Sequence, residues 1–207
     1  FSPYYRRALA RDATTPPEGH CAVNVCLYSP GAKRWTMTER GARHVQRERS
    51  AFVVGPSHLR WHGDALEITL DERSAPLPRA VRGVLRLHPR ALTTFHAALD
   101  ARSLHRWGPI APCARIEVDL QAPALRWQGH AYFDSNEGDE PIERIKVDPE
   151  LSADAQRRDR TARCLLPGGH RRYRGITERR VCGRRHQASF RHAWSVGIVS
   201  PSARLTT

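Results

Sequence analysis

The chain has 207 residues and a mass of 23.4 kDa, with 40% hydrophobic residues and a formal net charge of +13. That is apolar material for one ordinary domain or two small ones, and it excludes a fully disordered chain. No run approaches the roughly 18 consecutive apolar residues of a membrane-spanning helix. The chain opens at Phe1-Ser2-Pro3 without a Met or a charged-then-apolar leader, as a piece of a longer protein would.

The charge divides the chain. Residues 144–207 hold 15 basic and 5 acidic residues, a net of +10, whereas residues 1–143 carry a net of only +3. The basic character that would point to nucleic acid therefore belongs to the tail. The tail offers only Tyr173, Phe190 and Trp194 as interleaved aromatics. Stacking on bases needs more than that, so no nucleic-acid partner is expected.

The front reads as short strands between turns. Residues 21–28 are β-rich and stop at Ser29-Pro30-Gly31. Cys21 and Cys26 fall on opposite faces of that strand and are expected to be small buried hydrophobes. Residues 57–62 and 65–71 flank Gly63-Asp64 as a hairpin, with Leu66, Ile68 and Leu70 on the dry face. Residues 79–88 form a further strand, broken by Gly83 and ended by His88-Pro89. Residues 90–99 carry the one helical signal. Residues 115–120 repeat the alternation, with Ile116, Val118 and Leu120 facing inward.

The strand at 124–134 has two contrasting faces. Leu125, Trp127, Gly129, Ala131 and Phe133 make an apolar one. Arg126, Gln128, His130, Tyr132 and Asp134 make a polar one, which runs into a turn-like acidic stretch at 135–141. Such a strand is either half-exposed or the polar wall of a ligand cavity; the period fits both.

Strands at intervals of about 8–12 residues predict an all-β fold, an antiparallel barrel or sandwich. The first domain spans 1–143 and is incomplete; residues 144–207 form an irregular Arg-rich tail, expected to be disordered. In that tail only 190–199 is partly apolar. The odd count of five cysteines speaks against a disulfide framework. Cys164, His170, Cys182 and His186 lack the tighter spacing of structural zinc ligands. No metal is expected.

Seven blocks, taken in order, resemble the carotenoid 1,2-hydratases, also called hydroxyneurosporene synthases. They are FSPYY (1–5), GHCAVNVCLYSP (19–30), RWTMTERG (34–41), VVGPSHLRWHGDALEI (53–68), PLPRAVRGVLRLHP (76–89), HRWGPIAP (105–112) and GHAYFDSNEGDEP (129–141). The resemblance covers about residues 1–142 and implies a lipocalin- or calycin-like β architecture. It also implies hydration of the terminal 1,2 double bond of acyclic carotenoids such as neurosporene and lycopene, without a cofactor. The family's functional residues fall on Trp107, Tyr132 and Asp134. After the acidic loop the family continues into a Trp- and Phe-rich segment and a second β-domain. This chain has Arg144-Ile145-Lys146-Val147 and the basic tail instead, as a reading-frame slip in a GC-rich gene would produce.

The chemistry assigns roles to these residues. Protonation of the alkene at C2 leaves a tertiary cation at C1, which water captures. A carboxylic acid can be the donor where burial keeps it protonated; Asp134 is the candidate. Aromatic faces stabilise a desolvated cation by about 2 kcal/mol or more, and Tyr132 and Trp107 are placed for that and for binding. His130 shares the strand face of Tyr132 and Asp134 and is a candidate substrate-binding group. The implied partners are an acyclic carotenoid and water, with peripheral contact to membrane lipid from the cytoplasmic side. A lipocalin-like protein holding a long apolar ligand without chemistry is the alternative, and solvent exposure of Asp134 would favour it.

Overall fold

A computed structural model of the chain describes residues 3–29, 32–139, most of 149–157, and 192–199. After a helix α1 (Pro3–Arg11) come β1 (Cys21–Ser29), β2 (Ala32–Arg40), β3 (Val45–Arg47), β4 (Ala51–Val54), β5 (Ser57–His62) and β6 (Ala65–Arg73). There follow β7 (Ala80–Pro89), β8 (Ala97–Ala98), β9 (His105–Ala122), β10 (Ala124–Gly138) and β11 (His192–Val199). Strands β1 and β2 form a two-stranded sheet. The other nine form a second sheet in the order β11-β10-β9-β7-β6-β5-β4-β3, with β8 also on β9. All pairings are antiparallel.

Among the described residues this sheet is open, with β3 and β11 at its ends, and no barrel closes. The core lies on one face. Leu66, Ile68 and Leu70 of β6 meet Val81, Leu85 and Leu87 of β7, and Ile116, Val118 and Leu120 of β9 continue the layer. Each such side chain stabilises the fold by about 1.5–3 kcal/mol when fully buried. Val23, Val25 and Leu27 of β1 pack onto the same cluster, so the small sheet covers part of the large one.

The turn chemistry explains the register. His62 pairs with Ala65 across Gly63-Asp64, and Gly63 supplies the left-handed φ of +61° that a two-residue hairpin needs. Gly83 has a φ of +152°, and the β7–β9 register shifts beside it. A Cβ at Gly83 would lie 2.4 Å from the Asp119 carbonyl oxygen, so the two strands approach closely only because it is glycine.

Four local expectations are corrected. Residues 90–99 are not helical. Thr93 Oγ1 accepts the Phe95 amide at 2.9 Å, a local bond that competes with helix. The segment instead runs beside β9, tied by Arg90 N–H to the Cys113 carbonyl and Thr93 N–H to the Ile110 carbonyl, and ends as β8. A helix does form at α1, where Pro3 takes the first helical position, for which its fixed φ is suited. The acidic stretch expected to turn at 135 stays extended through Gly138, because it is paired by β11 as far as Glu137 and by β9 as far as Gly138. Cys21 is only half-buried and Cys26 is exposed, since Cys26 lies on the outer face of β1.

Within the tail, His192–Val199 forms β11 and extends the front's sheet beyond β10. It coincides with the one partly apolar run found there. The boundary at 143/144, the Cys164, His170, Cys182 and His186 positions, and most of the Arg-rich stretch lie outside the described residues.

Candidate active site on the β9–β10 pair

The site grows from two strands that are irregular where they meet. β9 contains Pro109 and Pro112, which cannot donate to the ladder, and the β9–β10 register shifts around them. Ala131 faces Ala114, Phe133 faces Ala111, and Asp134 faces Pro109, so β9 inserts a residue in each interval. Such bulges bend a strand and re-aim its side chains. Beyond them the pairing resumes, with Ser135 opposite Gly108 and Asn136 opposite Trp107.

Trp107 thus lies diagonally across from Asp134, within reach of a long aromatic side chain. The indole Nε1–H donates to Asp134 Oδ2 at 2.8 Å. Asp134 is 7% exposed, although it belongs to the polar face of its strand. Phe133, Asp134 and Ser135 are all buried, so both faces of the sheet are covered at this end. Tyr132, two residues back on the face of Asp134, is half-buried with its phenol oxygen out of contact with solvent. In the neighbouring strand Tyr132 is opposite Gly197, and Asp134 is opposite Ser195.

The structure therefore joins Trp107 and Asp134 by a direct bond and sets Tyr132 beside them on the same strand. His130 shares the strand face but is exposed, opposite Arg115 and Val199. Along this one face burial deepens from His130 through Tyr132 to Asp134. Asp139, a carboxylate just past β10, is exposed and accepts from Arg106 Nη1 at 2.8 Å.

Several residues that hold this end together carry no signal in the alternation. Asp100 is buried, and its carboxylate accepts the backbone N–H groups of Arg102, Leu104 and His105 at 2.9, 3.2 and 2.8 Å. Burial pushes this carboxyl up, but the three amides together outweigh it and hold it below its ordinary value. They fix the turn that starts β9, in which Ser103 has a φ of 55°. Arg106 adds a bond to the Ser103 carbonyl at 2.9 Å and lies 3.6 Å from Glu137. Its guanidinium is held above its usual range chiefly by the bond to Asp139. The His96 ring lies against Gly108, where a Cβ would meet it at 2.9 Å. Asp100 has a recognisable signature, an Asp opening a polar turn whose amides it can collect.

Among the described residues no group of His, Cys, Asp and Glu side chains is arranged to hold a metal ion. What the arrangement offers is a buried carboxyl oriented by an indole N–H, next to a half-buried phenol.

Comparison with known proteins bears on the same residues. The family model described as Carotenoid hydratase CrtC matches residues 1–160. The chain is 56% identical over 145 residues to an acyclic carotenoid 1,2-hydratase of Rubrivivax gelatinosus, a match covering 70% of this chain and 36% of the relative. It is 51% identical over 144 residues to the acyclic carotenoid 1,2-hydratase of Thiocapsa roseopersicina, covering 69% and 35%. The enzyme of that name from Cereibacter sphaeroides is 40% identical over 144 residues, covering 69% and 50%. The chain therefore spans between about a third and a half of the length of these relatives. No solved structure matches it. With Trp107, Tyr132 and Asp134 all inside the matched span, the chain belongs to the carotenoid hydratase family.

Proposed function

We propose that this chain carries the acid site of a hydratase that adds water to the terminal 1,2 double bond of acyclic carotenoids, with neurosporene and lycopene as substrates. The product is a 1-hydroxy carotenoid, and the reading needs no organic cofactor. The observation that carries it is the bond from Trp107 Nε1 to Asp134 Oδ2 at 2.8 Å, on a carboxyl that is 7% exposed. A carboxyl aimed into solvent would have suited a binding protein without chemistry. A buried, oriented one suits proton delivery to carbon.

The steps follow from that geometry. With Oδ2 accepting from the indole, the transferable proton sits on Oδ1. It passes to C2 of the alkene as the π pair forms the new C–H bond, leaving the tertiary cation at C1. Water adds to C1, and its surplus proton returns to the Asp134 carboxylate, so the acid is regenerated. The N–H bond lies in the indole plane and does not use the ring's face. In this reading that face and the Tyr132 ring stabilise the cation, an effect of about 2 kcal/mol when desolvated. Trp107 thus has two roles, orienting the acid and facing the charge. Such a substrate dissolves in lipid, so the reading places the protein peripherally at the cytoplasmic side of a membrane. Among the described residues no helix is long and apolar enough to cross one.

The test uses the 207-residue chain and, in parallel, the Rubrivivax gelatinosus relative with its matching span replaced by residues 1–142 of this chain. Either protein is incubated with lycopene in heavy-oxygen water. Label at the C1 hydroxyl is the expected result. Label drawn from molecular oxygen would overturn hydration, and binding of lycopene without conversion by the replaced relative would overturn the acid site.

A further inference from the structure

The two-stranded sheet turns one face to the core and the other outward. Val23, Val25 and Leu27 point inward. The outer face carries Cys26 opposite Trp35 and Tyr28 opposite Lys33. Tyr28 is 85% exposed and Trp35 44%, although both are large enough that a core would normally claim them. Next to them lies the connection between β6 and β7, joined to β2 by the Thr36–Ser74 bridge and the Ala75 N–H bond to the Trp35 carbonyl at 2.8 Å.

That connection is tight. Ser74 Oγ donates to the Leu77 carbonyl at 2.6 Å and accepts the Arg79 amide at 3.2 Å, while Arg79 N–H also reaches the Leu77 carbonyl. It presents Leu77, between Pro76 and Pro78, at 63% exposure. A leucine held outward by a braced loop, itself bonded to the backbone at Trp35, adds a third exposed apolar side chain to those of Tyr28 and Trp35. The charge around it has one sign. Lys33 lies opposite Tyr28, Arg73 and Arg79 flank the β6–β7 connection, and neither residues 26–37 nor residues 73–80 contain an acidic residue.

We infer that Tyr28, Trp35 and Leu77, ringed by these cations, dock the protein on an anionic lipid surface. Tyr and Trp rings suit the headgroup level, where one end is apolar and the other wet. Lysine and arginine beside them add attraction to anionic headgroups. The inference rests on the hydratase reading only in that its substrate is lipid-soluble; the test therefore contains no carotenoid.

The full chain is mixed with vesicles of phosphatidylcholine, alone or with phosphatidylglycerol, some of them bearing brominated acyl chains that quench nearby indoles. Brominated mixed vesicles should quench part of the tryptophan fluorescence, and Trp35→Phe should remove that quenched part. The double variant Tyr28→Ser/Leu77→Ser keeps Trp35 as the probe and should partition onto mixed vesicles about tenfold more weakly, or worse. Its circular dichroism and melting should match the parent, because both replaced side chains are exposed. Equal partitioning of parent and double variant would overturn the inference, and would assign membrane contact to another surface such as the basic tail. Concentration-dependent self-association in the absence of lipid, abolished by the double variant, would also overturn it and give the face to a second copy.

Discussion

Trp107→Phe separates the two roles given to that residue. Phenylalanine keeps an aromatic face at the same Cβ but has no N–H, so the change removes the 2.8 Å bond to Asp134 Oδ2 and little else. A hydrogen bond to a charged group is worth about 1.5–3 kcal/mol, and Asp134 becomes charged as its proton leaves for carbon. If the bond holds the acid in its reactive orientation, that energy appears in the barrier. At about 1.4 kcal/mol per decade, kcat falls roughly 10- to 100-fold. Lycopene binding changes little, since the ring remains. Trp107→Ala removes the ring as well, and should lose both binding and turnover. The assay is single-turnover conversion of lycopene by the Rubrivivax relative carrying residues 1–142 of this chain, with binding read from the polyene absorbance. A Phe variant with near-parent kcat would refute the orienting bond. Equal losses for Phe and Ala would refute the role of the ring face.

The remaining predictions follow from the same geometry. Asp134→Asn should cut turnover by about 10²–10⁴-fold while leaving binding nearly intact, and Tyr132→Phe should lose less because its π-face is kept; both are read in the same lycopene assay. Glu72, 2% exposed, accepts from Arg40 Nη2 at 3.1 Å and from Ser57 Oγ at 2.7 Å. Arg40→Met should therefore cost about 3–5 kcal/mol in urea unfolding, with most of it recovered in Arg40→Met/Glu72→Leu. Gly83→Ala should cost about 2 kcal/mol or more, because its Cβ would be forced against the β9 backbone. The Asp100 carboxyl titrates below its ordinary value in the folded protein, so its contribution is present above the unfolded carboxyl's range and fades as pH falls through the lower folded value. Asp100→Asn should therefore lower Tm at neutral pH, and the gap to the parent should close in acid below about pH 4.

What was legible in the sequence was whatever obeys a period of two. Leu66, Ile68 and Leu70 alternate without interruption, and all three are buried. Ile116, Val118 and Leu120 behave likewise, and Gly63-Asp64 turns the hairpin they predict. Residues 90–99 misled because Ala and Leu favour helix locally, whereas the exposed edge of β9 offered bonds that a helix could not use. The polar run after Asp134 misled for the opposite reason. Ser135 and Asn136 look like turn residues, yet strands on both sides hold them extended. The small sheet's contact with the core depends on residues far apart in the chain, which no local pattern encodes. Trp107, Tyr132 and Asp134 were singled out through the family blocks; the bond between Trp107 and Asp134 was not legible there.

The break in the period is also what makes a site possible. On a regular strand with one wet face, His130, Tyr132 and Asp134 would all sit in water, where a carboxyl is poorly suited to protonate carbon. The β9–β10 pair departs from regularity at Pro109 and Pro112, both inside the HRWGPIAP block that also supplies Trp107. One short segment thus contributes the bulges that re-aim the strand and the indole that ties down the acid. Along the polar face of β10 the environment then changes from exposed at His130 to buried at Asp134 within four residues. A linear polyene entering along that face would keep its shaft past His130 and Tyr132 and present its terminal double bond at the dry end. That direction is testable. Widening the shallow end with His130→Ala should leave the position of hydration at C1 unchanged, whereas a bulky His130→Trp should slow substrate entry and raise KM with little change in kcat. A His130→Trp variant with unaltered KM would show that the polyene does not travel along this face.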